Sequence, residues 1–168
     1  IGVHWSHGDR KIIESSLKAA LHDTVMQGNL QQHVGSVELY KQLADLSGLD
    51  HVFLTSSGVM GVENALKICM QYKQPANRVL AFSSCFCGRS LAAASITDKP
   101  AYRQGLPIVL DVDYIPFYDP KHPTKSTHAS ISALERALLR YPDQHACMKF
   151  ELIQGEGGFN VGSRTYFK

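Results

Sequence analysis

A strong excess of either charge is missing from this chain. Its 168 residues carry 17 Lys and Arg against 15 Asp and Glu, a net +2 with His neutral. The basic residues are scattered rather than gathered in a stripe, which argues against a dedicated nucleic-acid binder. Long apolar runs are missing too: none approaches the ~20 residues needed to cross a bilayer. No charged stretch followed by an apolar one opens the chain, so no secretory leader and no membrane partner are expected. Cysteine is sparse, with Cys69, Cys85, Cys87 and Cys147. Cys85 and Cys87 are too close for an easy bridge, and the other two lie in apolar segments. Reduced thiols in a cytoplasmic protein are the expectation. A Cys-x-Cys pair, even with His4 and His7 nearby, lacks the usual metal-ligand spacing, so no metal is expected. The eight histidines form neither an H-x₃-H nor an HExxH pattern.

What is present is enough for one domain with its own core: 168 residues, 44% of them hydrophobic. The chain starts at Ile1 without Met and stops at Lys168, where an amphipathic segment begins, and it reads as a piece of a longer polypeptide. Residues 10–27 carry apolar positions at helical spacing, with Asp9 as N-cap and Gly28 as stop. Residues 36–47 repeat the pattern, with Ser36 as cap and Gly48 as terminator. Residues 51–55 form a short apolar run, expected as a strand. Val59 to Tyr72 is expected as a helix that Pro75 breaks. Strands follow at 78–82, 107–110, 113–117 and 148–153. Helices are expected at 88–97, where small residues dominate, and at 131–140, with a loop at 122–127. Strands alternating with helices predict an α/β fold, a mostly parallel sheet flanked by helices.

Three stretches bring polar chemistry to the ends of expected strands, where ligands bind in open α/β sheets. Ser56-Ser57-Gly58-Val59 lies at a helix start, whose free N–H groups and dipole suit an anion such as phosphate. Its plainer reading is an ordinary cap and tight turn. Cys85-Phe86-Cys87-Gly88-Arg89 offers an aromatic ring for a planar ligand and a guanidinium that can clamp a carboxylate. The plainer readings are a core Phe and a surface ion pair. Glu151-Leu-Ile-Gln154-Gly155-Glu156-Gly157-Gly158 follows an apolar lead-in at 146–150. Carboxylates there need partners or a function; a structural ion pair is the alternative.

These three stretches, in this order, resemble segments of the class III aminotransferases that use pyridoxal 5'-phosphate. Ser57-Gly58-Val59 followed by Glu63-Asn-Ala-Leu-Lys67 is similar to the family's phosphate-binding turn and helix. Phe86-Cys87-Gly88-Arg89-Ser90 resembles its F-[HW]-G-R-[TS] segment, and Glu151 to Gly158 its E-P-[VI]-Q-G-E-[GA]-G segment. The resemblance covers nearly the whole chain and looks closest to the ornithine and acetylornithine aminotransferases. It implies part of the large domain of a fold-type-I transferase over 1–168, with residues 1–35 as a lead-in.

By the same resemblance, Ser57, Gly58 and Val59 hold the cofactor phosphate, Phe86 stacks on the pyridine ring and Glu151 supports the pocket. Arg89 holds the substrate carboxylate. Glu156 gates the substrate pocket, paired with an arginine outside this chain. The reaction implied is transfer of an amino group from an ω-amino donor to a 2-oxo acid, 2-oxoglutarate, in a cytoplasmic homodimer. The family's Schiff-base lysine falls after Lys168, so no catalytic residue is expected in this span and the span by itself is expected to be inactive. Cys87, Leu152 and Met60 depart from the family pattern. They leave a second reading open, a non-catalytic homologue that binds a ligand or partner through the same crevice.

Overall fold

In a computed structural model, residues 8–22 and 33–168 are described. Two compact units divide the chain, Ile1–Phe53 and Leu54–Lys168. In the first unit, α1 spans Arg10–Leu21, and the Asp9 carboxylate accepts the Ile12 N–H at 3.0 Å, as a capping Asp does. The rest of the helix expected at 10–27, with its stop at Gly28, lies outside the described residues. Helix α2 spans Val34–Ser47 and starts two residues before the expected cap. His33, not Ser36, caps it: the imidazole Nδ1 accepts the Gly35 N–H at 3.0 Å, and any well-placed acceptor can satisfy a first-turn donor. Gly48 ends the helix at φ +68°, a left-handed position where glycine carries no Cβ penalty.

The second unit holds α3 (Gly58–Tyr72), β1 (Arg78–Phe82), α4 (Leu91–Ile96), α5 (Pro100–Arg103), β2 (Val112–Ile115), α6 (Pro123–Arg140), β3 (His145–Lys149), β4 (Ile153–Gln154) and β5 (Asn160–Val161). Strands β2, β1 and β3 form a parallel sheet with β1 in the middle, and β4 pairs antiparallel with β5. The expected α/β fold with a parallel sheet flanked by helices is therefore present.

Alternation along β1 decides what each sheet face buries. Val79 and Ala81 are fully buried with Leu66 of α3, Cys85, Cys87, and Ala93 and Ile96 of α4. Leu80 and Phe82 point the other way, onto Ile115, Leu134 and Ala137 of α6, and the aromatic rings of Tyr166 and Phe167. Burying each of these larger apolar side chains contributes about 1.5–3 kcal/mol. A run of small residues in α4, Ala92-Ala-Ala-Ser95, lets that helix lie close against the first face.

Several boundaries differ from expectation. Residues 51–55 form no strand, because an apolar run becomes a strand only with a ladder partner. Residues 107–110 are irregular, and the strand is 112–115. Helix α6 begins at Pro123, inside the expected loop: proline at the first helical position loses no hydrogen bond there and its φ suits the helix. The last parallel strand ends at Lys149, four residues early. After it the chain turns, and Ile153 and Gln154 pair with Val161 and Asn160 instead.

Candidate functional site

The carboxyl ends of β1 and β3 lie side by side, with Ala81 of β1 in register with Lys149 of β3. From β1 the chain enters the turn Ser83–Ser90. This turn is held by side chains far from it in sequence. Thr97, fully buried, accepts the N–H groups of Cys87 at 2.9 Å and Gly88 at 3.3 Å. The Asp98 carboxylate accepts the Ser84 N–H at 2.7 Å, at a residue with φ +62°. Both backbone groups of Phe86 are engaged by the end of β3. Its N–H donates to Glu151 at 2.9 Å, and its carbonyl accepts from the Lys149 ammonium. Lys149 Nζ lies 3.9 Å from the Glu151 carboxylate, so the two charges partly offset one another.

The turn also rests on α3. A Cβ on Gly88 would sit 2.6 Å from Val59 Cγ2, and Gly88 has φ +143°. Only glycine fits that approach without strain. Ser90 donates from its hydroxyl to Glu63, one turn further along α3. Ser57 caps α3, its Oγ accepting the Met60 N–H at 3.3 Å. Ser56, Ser57 and Gly58 are exposed and Val59 is half-buried. The first intrahelical bond of α3 runs from Gly61 N to Ser57 O. The N–H groups of Gly58 and Val59 thus precede the helical ladder, where a helix presents donors to an anion.

Past β3, Gln154 is buried. Its Nε2 donates to the Ser83 carbonyl at 2.8 Å, and its Oε1 accepts from Asn160 at 3.1 Å. This ties the glycine-rich turn to β1. Glu156 stands at the open rim. Its Oε1 takes a hydrogen bond from the Lys99 ammonium and one from the Tyr102 hydroxyl at 2.8 Å. The hydrogen bond from Lys99, then that from Tyr102, hold its carboxyl below the usual carboxylate range. The Tyr102 ring meets Phe86 edge-on at 5.8 Å, and the Arg89 guanidinium carbon is 6.0 Å from the Tyr102 centroid.

Geometry thus joins the three sequence stretches. Val59 touches the Phe86 turn through Gly88, Phe86 is bonded to Glu151, and Arg89, Phe86 and Glu156 share Tyr102. Cys85 and Cys87 belong to the core cluster, where burial pushes the Cys87 thiol up to about 11. Both pack against Leu66, Ala93 and Ile96. Lys149, Thr97, Lys99 and Tyr102 escape a reading of the sequence. A lysine inside the otherwise apolar strand segment Ala146–Phe150 is the one signal that pointed to any of them.

Known proteins resemble this chain in sequence and in fold. The chain matches the family described as aminotransferase class-III over residues 4–168. It is 30% identical to an acetylornithine aminotransferase of Methanocaldococcus jannaschii, over 100% of this chain and 40% of that one. It is 33% identical to an acetylornithine aminotransferase of Parasynechococcus marenigrum, over 96% of this chain and 38% of that one. A solved lysine aminotransferase from M. tuberculosis superposes with a TM-score of 0.79 at 25% identity, over 95% of this chain and 41% of that one. An omega-transaminase from Thermomicrobium roseum shares the fold, with a TM-score of 0.85 at 24% identity over 96% of this chain and 40% of that one. The chain spans about 40% of the length of the curated relatives it matches. It belongs to the class-III aminotransferase family.

Proposed function

We propose, for a member of this family, that the crevice at the carboxyl ends of β1 and β3 binds pyridoxal 5'-phosphate and that the full-length polypeptide transfers an amino group from an ω-amino donor to 2-oxoglutarate. One observation carries the reading: an open helix start, a half-buried aromatic ring and a carboxylate are tied to one another by Gly88 on Val59 and Glu151 on Phe86. The donor set fits a phosphorylated aromatic aldehyde. The N–H groups of Gly58 and Val59, with Ser57 beside them, suit a phosphate dianion at the start of a 15-residue helix. Among the described residues nothing stands within 4 Å of where a Gly58 Cβ would be, so the backbone is open to a ligand there.

When bound, pyridoxal phosphate supplies an aldehyde for the donor amine and a ring that withdraws electrons from the carbon bearing it. The chain's own residues do the holding. The Phe86 ring covers one face of the pyridine, and Lys149 and Glu151 fix the Phe86 backbone so that the ring does not drift. Arg89 is exposed and offers a planar fork to a substrate carboxylate. Glu156 faces the same mouth as the second substrate contact. The catalytic lysine belongs to the polypeptide outside this span, the active unit is a homodimer, and four free cysteines suit the cytoplasm.

The test supplies the full-length polypeptide with pyridoxal phosphate, N-acetylornithine or ornithine as donor, and 2-oxoglutarate. Donor-dependent glutamate is expected, with Arg89→Ala raising KM for 2-oxoglutarate. Tight cofactor binding without glutamate from any ω-amine would instead favour a non-catalytic homologue, motivated by Cys87, Leu152 and Met60. Failure to bind the cofactor would reject the site itself.

A further inference from the structure

Glu156 is expected from the resemblance to pair with an arginine outside the chain, but it already has two partners of its own. Lys99, just before the short helix α5, places its ammonium on Glu156 Oε1, and Tyr102 in that helix donates to the same oxygen at 2.8 Å. The ion pair is open to solvent, with side chains 44% and 41% exposed. An exposed pair alone contributes little. What distinguishes this one is Tyr102. Its hydroxyl fixes Glu156, its ring edge meets Phe86 at 5.8 Å, and Arg89 and Lys99 lie 6.0 Å and 5.3 Å from its centroid. One phenol therefore registers the ring position, the carboxylate-binding cation and the rim carboxylate against one another.

We propose that Lys99 and Tyr102 position Glu156 and that Lys99 sets the charge of the donor end of the pocket, so that it favours a donor whose nitrogen beside the carboxylate is acylated over one carrying a second ammonium group. This rests on the reading of Arg89 and Glu156 as substrate contacts. Arg89 and Lys99 bring two positive charges and Glu156 one negative, so the lobe is net positive. The far end of an N-acylated amino acid is a lone carboxylate, which matches that charge. The far end of a free amino acid adds an ammonium, which meets a Glu156 carboxylate whose charge Lys99 already offsets through Oε1. An ammonium that shares a carboxylate with a lysine gains less from it, and is repelled by that lysine.

The experiment measures kcat/KM for N-acetylornithine and ornithine in the full-length enzyme and in Lys99→Met, Lys99→Arg, Tyr102→Phe and Glu156→Gln. A second readout needs no turnover: the Glu156 side-chain carboxyl is titrated by carbon-13 NMR in wild type, Lys99→Met and Tyr102→Phe. Wild type is expected to prefer the acylated donor. Lys99→Met should shift the ratio toward ornithine by roughly fivefold, chiefly through KM, while Lys99→Arg restores it. Tyr102→Phe should give a smaller shift in the same direction. The Glu156 midpoint should rise in both variants. An unmoved ratio in Lys99→Met overturns the specificity assignment, and an unmoved midpoint overturns the positioning role. If wild type transfers no amino group at all, the proposed activity falls. The titration still decides whether Lys99 and Tyr102 hold Glu156.

Discussion

The two ends of the same three strands handle charge in opposite ways. At the amino end, Arg78 of β1 donates from Nε to Asp113 of β2 at 2.9 Å, and His145 of β3 meets the same carboxylate at 2.8 Å. Arg78 also reaches Asp111 at 3.2 Å and lies 3.7 Å over the Tyr141 ring. The Arg78 side chain is 12% exposed and that of His145 5%. At the carboxyl end, Lys149, Glu151, Thr97 and the Gln154 Nε2 group hydrogen-bond to backbone, while Ser57, Gly58 and Arg89 face solvent. Polar groups that satisfy one another make a brace. Polar groups that hold a backbone in place leave other groups exposed for a ligand. Burial and charge by themselves therefore do not mark a site; the difference lies in what the hydrogen bonds are attached to.

The comparison breaks if variants at the two ends behave alike. The largest loss of stability is expected at the amino end. Asp113→Ala leaves Arg78 and His145 without their shared carboxylate and should cost about 3 kcal/mol, read from urea unfolding of the full-length polypeptide. Its affinity for pyridoxal phosphate should stay unchanged once folded. Burial pushes the Asp113 carboxyl up, but the hydrogen bonds from Arg78 and His145 outweigh it and the net direction is down. A carboxyl lowered on folding adds stability above its unfolded pKa, about 3.9. That stability is lost as pH falls through the lower folded value. Asp113→Asn should therefore flatten the acid limb of the stability profile.

Next in size is Gly88→Ala, at about 2 kcal/mol. It adds a Cβ against Val59 at a backbone angle that L-residues avoid. Unlike Asp113→Ala, it should also weaken cofactor binding, because it parts the Phe86 turn from α3. Thr97→Val keeps the shape but strands the Cys87 and Gly88 N–H groups, costing about 1–2 kcal/mol with a parallel loss of cofactor affinity. Smallest is Ser57→Ala, about 1 kcal/mol from the lost cap, measured by thermal unfolding. If Thr97→Val and Gly88→Ala leave cofactor affinity at the wild-type value, the carboxyl end is a brace like the amino end and the contrast is void.

Of this contrast, only the carboxyl end was legible in the sequence. Local signals found α3, β1 and the three turns: a Ser cap, a short apolar run, glycines where strands give way to turns. Family resemblance added the roles proposed for Phe86, Arg89 and Glu151. What escaped reading were partners distant in sequence. Lys149 and Glu151 lie 63 and 65 residues from Phe86, and Asp113 and His145 are 32 apart. No local periodicity announces such pairs. The misplaced elements have local causes. His51–Thr55 has strand composition but, among the described residues, no neighbour to pair with. The His122–Thr127 stretch looked like a loop because Pro123 was read as a breaker, when at a first helical position it is a starter. Strand β3 ended early because the chain turns to let Gln154 reach Ser83.

A crystal structure of the full-length polypeptide with pyridoxal phosphate tests the central claim most directly. The account predicts the phosphate within about 2.7–3.2 Å of the Gly58 and Val59 N–H groups and the pyridine face against Phe86. A phosphate bound at the other end of the strands, or a ring that does not touch Phe86, would contradict it.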